Sequence, residues 1–222
     1  MLTIGIIIIL IMGLLIVCLI SKELSCIEKI GLSFPIGIGV QTMLMALINL
    51  CGLRLTAISV LSSGLLMLFV LLVLLFRRNS QTHLHPIQGL DTSKYNMVWM
   101  LFIGLVIYFE YMNFVKCMYF PTFDRDSLAG FDTIGYVIAQ EHTFRHISLF
   151  QHDYMPSIHN AGSYITYAPM TQLSYAFVYL LGAETSKLIP AFIFLFFLIT
   201  FYGVMKRISG HTGLMALFGT PV

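Results

Sequence analysis

The sequence LTIGIIIILIMGLLIVCLI, residues 2–20, has one hydroxyl side chain and otherwise contains only apolar residues and glycine. A helix of this length, at about 1.5 Å per residue, crosses a hydrocarbon core about 30 Å thick. No basic residue precedes the run, and no small-x-small cleavage pattern occurs before Ser21. Because a signal peptide normally shows both features, we expect residues 2–20 to be a retained membrane anchor.

The rest of the chain has the same apolar character. Hydrophobic residues make up 58% of the sequence and charged residues only 10%, whereas about a quarter of the residues in soluble domains are charged. Runs long enough to cross a bilayer occupy residues 2–20, 32–51, 57–76, 97–120 and 188–205. We therefore predict an all-α polytopic membrane protein with about five transmembrane helices and amphipathic surface helices in a large external loop.

The order of these segments predicts two parts. Residues 1–96 would form an N-terminal three-span membrane segment with a cytoplasmic loop, since the connectors 21–31 and 52–56 are short enough to force antiparallel neighbours. Residues 97–222 would form a second module that begins with the fourth span. It continues with an external loop 121–167, a short surface helix 168–182, the span 188–205 and a truncated span from residue 212.

The positions of the basic residues predict the orientation. The net charge of +2 is too small to indicate nucleic-acid binding. Cytoplasmic loops of membrane proteins carry an excess of Lys and Arg. One arrangement puts most of these residues inside: Lys22, Lys29, Arg77, Arg78, Lys94, Lys206 and Arg207. The loop 121–167 then faces the outside, and we expect the chain to lie in a bacterial plasma membrane.

That loop concentrates the ionisable residues. It contains five of the ten acidic residues and four of the seven histidines: Asp124, Asp126, Asp132, Glu141, Asp153, His142, His146, His152 and His159. Apolar residues at helical spacing predict an amphipathic helix over 126–142, lying along the membrane surface. Asp126 could cap this helix, or Asp126 or Asp124 could act as a general base towards an attacking hydroxyl. The residues alone leave both interpretations open.

Metal and cofactor binding have little support in the pattern. His142 and His146 are four residues apart, which would place them on one helical face as metal ligands often are, but no known zinc motif surrounds them. The four cysteines show no metal or disulfide spacing. We predict no cofactor and no metal site. A divalent cation is possible, but no motif supports it.

Two features lie inside the predicted spans. Glu110 falls near the middle of the fourth span, where an ionisable group is costly and either lines a polar pathway or makes a structural contact with a neighbouring helix. Pro35, Gly37 and Gly39 lie in the second span, where such residues permit close helix packing or a kink, and we expect packing.

From residue 97 onwards, the order of motifs resembles the GT-C glycosyltransferases, the membrane enzymes that include the protein O-mannosyltransferases and the aminoarabinose transferase of lipid A. The motifs are an aromatic-Pro turn (Tyr119, Phe120, Pro121), the acidic segment Asp124-Arg125-Asp126, a surface helix with aromatics, Tyr167-Ala168-Pro169 before a tyrosine-rich helix, and a span ending in Lys206-Arg207. The order is moderately specific, although no single element is.

The resemblance implies transfer of a sugar from a polyprenyl-phosphate carrier to a lipid, glycan or protein acceptor. It places the catalytic base at Asp126, with Asp124 as the alternate and Asp132 as a weaker third. Residues that would contact the substrate or the carrier phosphate are Arg125, Arg145, Lys187 and Tyr167.

The chain departs from the family in two respects. Three spans precede the one that the family would have first, and further spans are expected beyond Val222, so we expect an N-terminal part of a longer enzyme. Two other functions remain open. A transporter or flippase subunit would use Glu110 in its pathway, and a non-catalytic membrane scaffold would need no site.

Overall fold

The computed structural model describes residues 1–78, 97–119, 130–145 and 169–209. Within those ranges every regular element is a helix. They are α1 (Leu2–Ile20), α2 (Cys26–Leu50), α3 (Ala57–Arg78), α4 (Met97–Tyr119), α5 (Asp132–Glu141), α6 (Met170–Leu180) and α7 (Leu188–Ser209). The prediction of an all-α membrane protein is confirmed.

Four of the described helices are long and apolar enough to cross a bilayer: Leu2–Ile20, Cys26–Leu50, Ala57–Arg77 and Leu188–Ile208. Many of their large apolar side chains face outwards, as expected for contact with lipid, among them Ile4, Ile7, Leu66, Phe69 and Phe76. The predicted fifth span corresponds to α4, whose 23 residues would reach about 35 Å. The crossing of the bilayer by α4 stays a prediction.

The second helix begins at Cys26, six residues earlier than the apolar run indicates. Ser25 and Glu28 form a capping box in which the Ser25 amide donates to Glu28 Oε2 at 2.8 Å and the Glu28 amide donates to Ser25 Oγ at 3.3 Å. These bonds satisfy two amides that would otherwise lack partners at the start of a helix. The cap therefore extends α2 through residues that we assigned to a connector.

Glycines bring α1 and α2 into close contact. A Cβ added at Gly13 would lie 2.7 Å from the carbonyl carbon of Ser33, and one added at Gly37 would lie 2.9 Å from the carbonyl carbon of Ile9. Distances this short leave no room for a side chain, so the two backbones touch. The predicted packing role of Gly37 is confirmed.

Helix α7 packs along α2 through aromatic and small residues. Phe34, which is fully buried, lies between Phe192 and Phe196, with ring centroids at 5.2 and 5.4 Å. Closer to the start of α2, Arg207 Nη2 of α7 lies 3.2 Å from Glu28 Oε1. The start of α2 therefore adjoins the end of α7, and the basic ends of these helices share one end of the bundle.

Helices α5 and α6 form a pair at the opposite end. Gly135 of α5 packs against α6. A Cβ added at Gly135 would lie 3.0 Å from the Gln172 carbonyl oxygen. On α6, Phe177 is buried, and its ring would lie 3.0 Å from a Cβ added at Gly5, near the start of α1. The predicted short helix 168–182 is present as α6, but one of its faces is buried in the bundle.

Candidate functional site

The segment that follows α5 is fixed to the connector between α2 and α3. The Leu55 amide donates to the His142 carbonyl oxygen at 2.7 Å, and His142 Nδ1 lies 2.8 Å from the Leu55 carbonyl oxygen. Since a carbonyl oxygen only accepts, Nδ1 carries the hydrogen of this bond. The contact joins residues 87 positions apart in the chain.

Asn49, in the last turn of α2, makes the second set of bonds to this segment. Its Oδ1 accepts from Thr143 Oγ1 and from the Phe144 amide, both at 3.1 Å, while its Nδ2 donates to the Leu53 carbonyl oxygen at 3.1 Å. The side chain is only 3% exposed. One buried amide group thus holds both the connector and the segment 142–145.

We expect Asn49→Ala to lower the free energy of unfolding by about 2 kcal/mol, since it removes three hydrogen bonds and leaves partners unsatisfied. The loss should be local, with faster hydrogen exchange in residues 142–145 than in the wild type. Thr56→Ala, which changes the same connector without touching that segment, serves as the control. Equal protection of 142–145 in wild type and Asn49→Ala would contradict this assignment.

A pocket of about 330 Å³ lies between the two segments. Asn49, Gly52, Leu53 and Arg54 line it from the α2 end and the connector, and Glu141, Thr143 and Arg145 line it from the end of α5. Arg145 Nη1 donates to the Leu50 carbonyl oxygen at 3.2 Å. The predicted Arg145 therefore lines the same pocket as a second basic residue, Arg54.

Asp132 lies in the first turn of α5 and does not line this pocket. Its Oδ1 accepts a hydrogen bond from Tyr179 Oη at 2.7 Å. Burial, followed by the hydrogen bond to Asp132 and its charge, raises the pKa of Tyr179 to about 12, against a lowering contribution from Ser186. The phenol therefore keeps its proton at neutral pH and remains a donor to Asp132.

Tyrosines surround this carboxylate. The ring of Tyr136, half exposed, meets Tyr179 edge to face with centroids 5.4 Å apart. Burial, and then the charge of Asp132, raise the pKa of the Tyr175 hydroxyl. Asp132 thus has a structural role between α5 and α6, in addition to any chemistry.

The other predicted residues lie elsewhere. Lys187 comes directly before α7 and Glu110 lies in α4, and neither lines the pocket. Four predicted site residues fall outside the described ranges: Asp124, Arg125, Asp126 and Tyr167.

The interpretation of His142 and His146 as neighbours on one helical face is wrong. Helix α5 ends at Glu141, and His142 has a φ of 59°, which is left-handed and does not continue a helix. His146 lies outside the described residues. In the described part of the chain, no group of three or more His, Cys, Asp or Glu side chains is placed to hold a metal ion.

Sequence reasoning missed Arg54 and Asn49 as site residues. Arg54 stands alone in a short connector, and the orientation argument places it outside without suggesting a partner. Asn49 is a buried amide near the end of an apolar run, a type of residue that needs hydrogen-bond partners. The donors to its Oδ1, however, lie more than 90 residues away, and no local pattern indicates them.

Comparison with protein-family models, with curated proteins and with solved structures finds no match to this chain.

Proposed function

We propose that the chain is a membrane glycosyltransferase that moves a sugar from a polyprenyl-phosphate carrier to a lipid, glycan or protein acceptor. The observation that carries this proposal is the position of the α5–α6 pair. The pair and the segment 142–145 are fixed on one end of the bundle, away from the Glu28–Arg207 contact. A loop held in this way can present polar groups to a substrate whose lipid tail stays in the bilayer.

The orientation supports the same proposal. The end of α7 carries Lys206 and Arg207, and it adjoins the start of α2, where Lys29 lies. If this basic end is cytoplasmic, as the distribution of Lys and Arg favours, then α5 and α6 face the outside. We propose a bacterial plasma membrane with the loop 121–167 extracytoplasmic.

The chemistry requires a general base and a site for the leaving phosphate. The base removes the proton of the acceptor hydroxyl as its oxygen bonds to the anomeric carbon, while the bond from that carbon to the carrier phosphate breaks. We assign the base to Asp126, with Asp124 as the alternate. Asp132 stays third, and one of its oxygens already accepts a hydrogen bond from Tyr179 Oη.

The test is transfer of labelled sugar from a polyprenyl-phosphate donor by membranes that contain the full chain. We expect Asp126→Asn to lower the rate by at least about 100-fold, the usual contribution of a positioned base. Glu184→Gln, which changes an exposed acid before α7, should leave the rate unchanged.

Absence of transfer by the wild type would overturn the proposal. Full activity in both Asp126→Asn and Asp124→Asn would remove the assigned base. Loss of a measured solute flux in Glu110→Gln, without any transfer activity in the wild type, would instead support a transporter.

A further inference from the structure

We infer that the pocket between the α2–α3 connector and the end of α5 binds the phosphate of a membrane lipid, with Arg54 and Arg145 as its charged donors. The inference deepens the proposed function, on which it rests for the identity of that lipid as the sugar carrier. Binding of a lipid phosphate can be measured without transfer, so the two proposals fail separately.

The charges in the pocket favour an anion. Arg54 and Arg145 both line it, against the single carboxylate of Glu141. Arg remains protonated at all accessible pH values, and its planar guanidinium presents several donors to phosphate oxygens. Among the lining residues that the structure describes, positive charges therefore outnumber negative ones at neutral pH.

A hydrogen bond holds the side chain of Arg145, whereas for Arg54 a hydrogen bond holds the backbone. Arg145 Nη1 donates to the Leu50 carbonyl oxygen at 3.2 Å, and this is one of the five N–H groups of its guanidinium. The Arg54 carbonyl oxygen accepts from Ser59 Oγ at 2.9 Å, fixing the backbone of the connector. The Arg54 side chain is exposed. Among the residues that the structure describes, none forms an ion pair with Arg54.

The surface beside the pocket favours a lipid over free phosphate. Leu50, Leu53 and Ile58 flank Arg54 in sequence and are 58%, 61% and 75% exposed. These side chains lie where the long apolar helix α2 ends and the long apolar helix α3 begins. A ligand with a phosphate for the arginines and a hydrocarbon tail for these leucines and isoleucine satisfies both parts of the surface.

The experiment uses the full chain in phosphatidylcholine nanodiscs that contain a small fraction of polyprenyl phosphate, with the retained lipid phosphate quantified by native mass spectrometry. We expect Arg54→Gln and Arg145→Gln each to weaken retention about tenfold or more, as loss of a charge-assisted bond does. Arg77→Gln, which changes an exposed arginine at the other end of α3, should leave retention unchanged. Glu141→Gln should strengthen it.

Three comparisons identify the ligand and guard against misfolding. Polyprenol without phosphate should be retained poorly, and inorganic phosphate should compete only at far higher concentration. Equal retention of polyprenol, or competition by inorganic phosphate at the same concentration as the lipid, would overturn the inference. Arg54→Gln is the decisive variant, because the structure shows no ion pair between its guanidinium and the residues 1–78, 97–119, 130–145 and 169–209. Unchanged retention in that variant would also overturn the inference.

Failure of the two proposals can be told apart. Retention that depends on Arg54, in a protein without transfer activity, would leave the lipid-phosphate site in place and reject the transferase. Transfer activity that is unaffected by Arg54→Gln and Arg145→Gln would keep the transferase and reject the site.

Discussion

Gly37→Ala is expected to lower the free energy of unfolding by about 3 kcal/mol, because overpacking of a tight helix contact costs roughly this much. The added Cβ would lie 2.9 Å from both the Ile9 carbonyl carbon and Ile9 Cγ2. Relief requires α1 to move away from α2, since the nearest atoms belong to the backbone of α1 and cannot rotate aside. Thermal unfolding in detergent, followed by circular dichroism, measures the change.

Gly104→Ala is the matched control, since it makes the same chemical change in α4, where an added Cβ meets nothing within 4 Å. There alanine should be neutral or should stabilise by up to about 1 kcal/mol, because it is the better helix former. The two substitutions should therefore have opposite signs. A stabilising Gly37→Ala would show that α1 and α2 do not touch at this position.

Arg207→Ala is expected to destabilise the bundle by about 2 kcal/mol. Its guanidinium lies 3.2 Å from Glu28 Oε1, and the Glu28 side chain is only 1% exposed, whereas that of Arg207 is 54% exposed. Removing one partner of a buried pair leaves a buried charge without compensation, at about 3–5 kcal/mol when both groups are buried. The exposure of Arg207 reduces that figure, because solvent screens the pair.

The environment of Glu28 makes this contact important. Its Oε2 is bonded to the Ser25 amide in the capping box, but within the described part of the chain Oε1 has no hydrogen bond besides the ion-pair contact. In a Glu28→Gln background, Arg207→Ala should cost much less, and the difference between the two backgrounds measures the pair. Lys206→Ala, at an exposed neighbouring position, should change stability by less than about 0.5 kcal/mol. If Arg207→Ala costs no more than Lys206→Ala, the ion pair does not stabilise the protein.

The long helices could be predicted from the sequence because the bilayer demands a simple property, an uninterrupted apolar run. The first run and α1 have the same bounds, and α7 starts at the predicted Leu188. The start of α2 was missed although its signal was present, since Ser25 and Glu28 have the spacing of a capping box. The extension of α7 to Ser209 crosses Lys206 and Arg207, which hydropathy assigns to a loop.

The candidate site could be predicted only in part. Arg145 was singled out as a basic residue of the external loop, but Arg54, which lines the same pocket, comes from a connector about 90 residues earlier. The Asp132 carboxylate was considered only as a base, whereas its hydrogen bond to Tyr179 depends on the packing of α5 against α6. Contacts between distant segments depend on how the helices stack, and the periodicity of each helix does not contain that information.

The pairing of Glu28 with Arg207 has a consequence for biosynthesis. Ribosomes make the N-terminal end of a chain first, so α2 enters the membrane long before α7 has been translated. During that interval the Glu28 carboxylate lacks the partner that it has in the finished protein. Until α7 is made, α1 and α2 therefore have an acid near the start of α2 without its basic partner, and α7 supplies that partner.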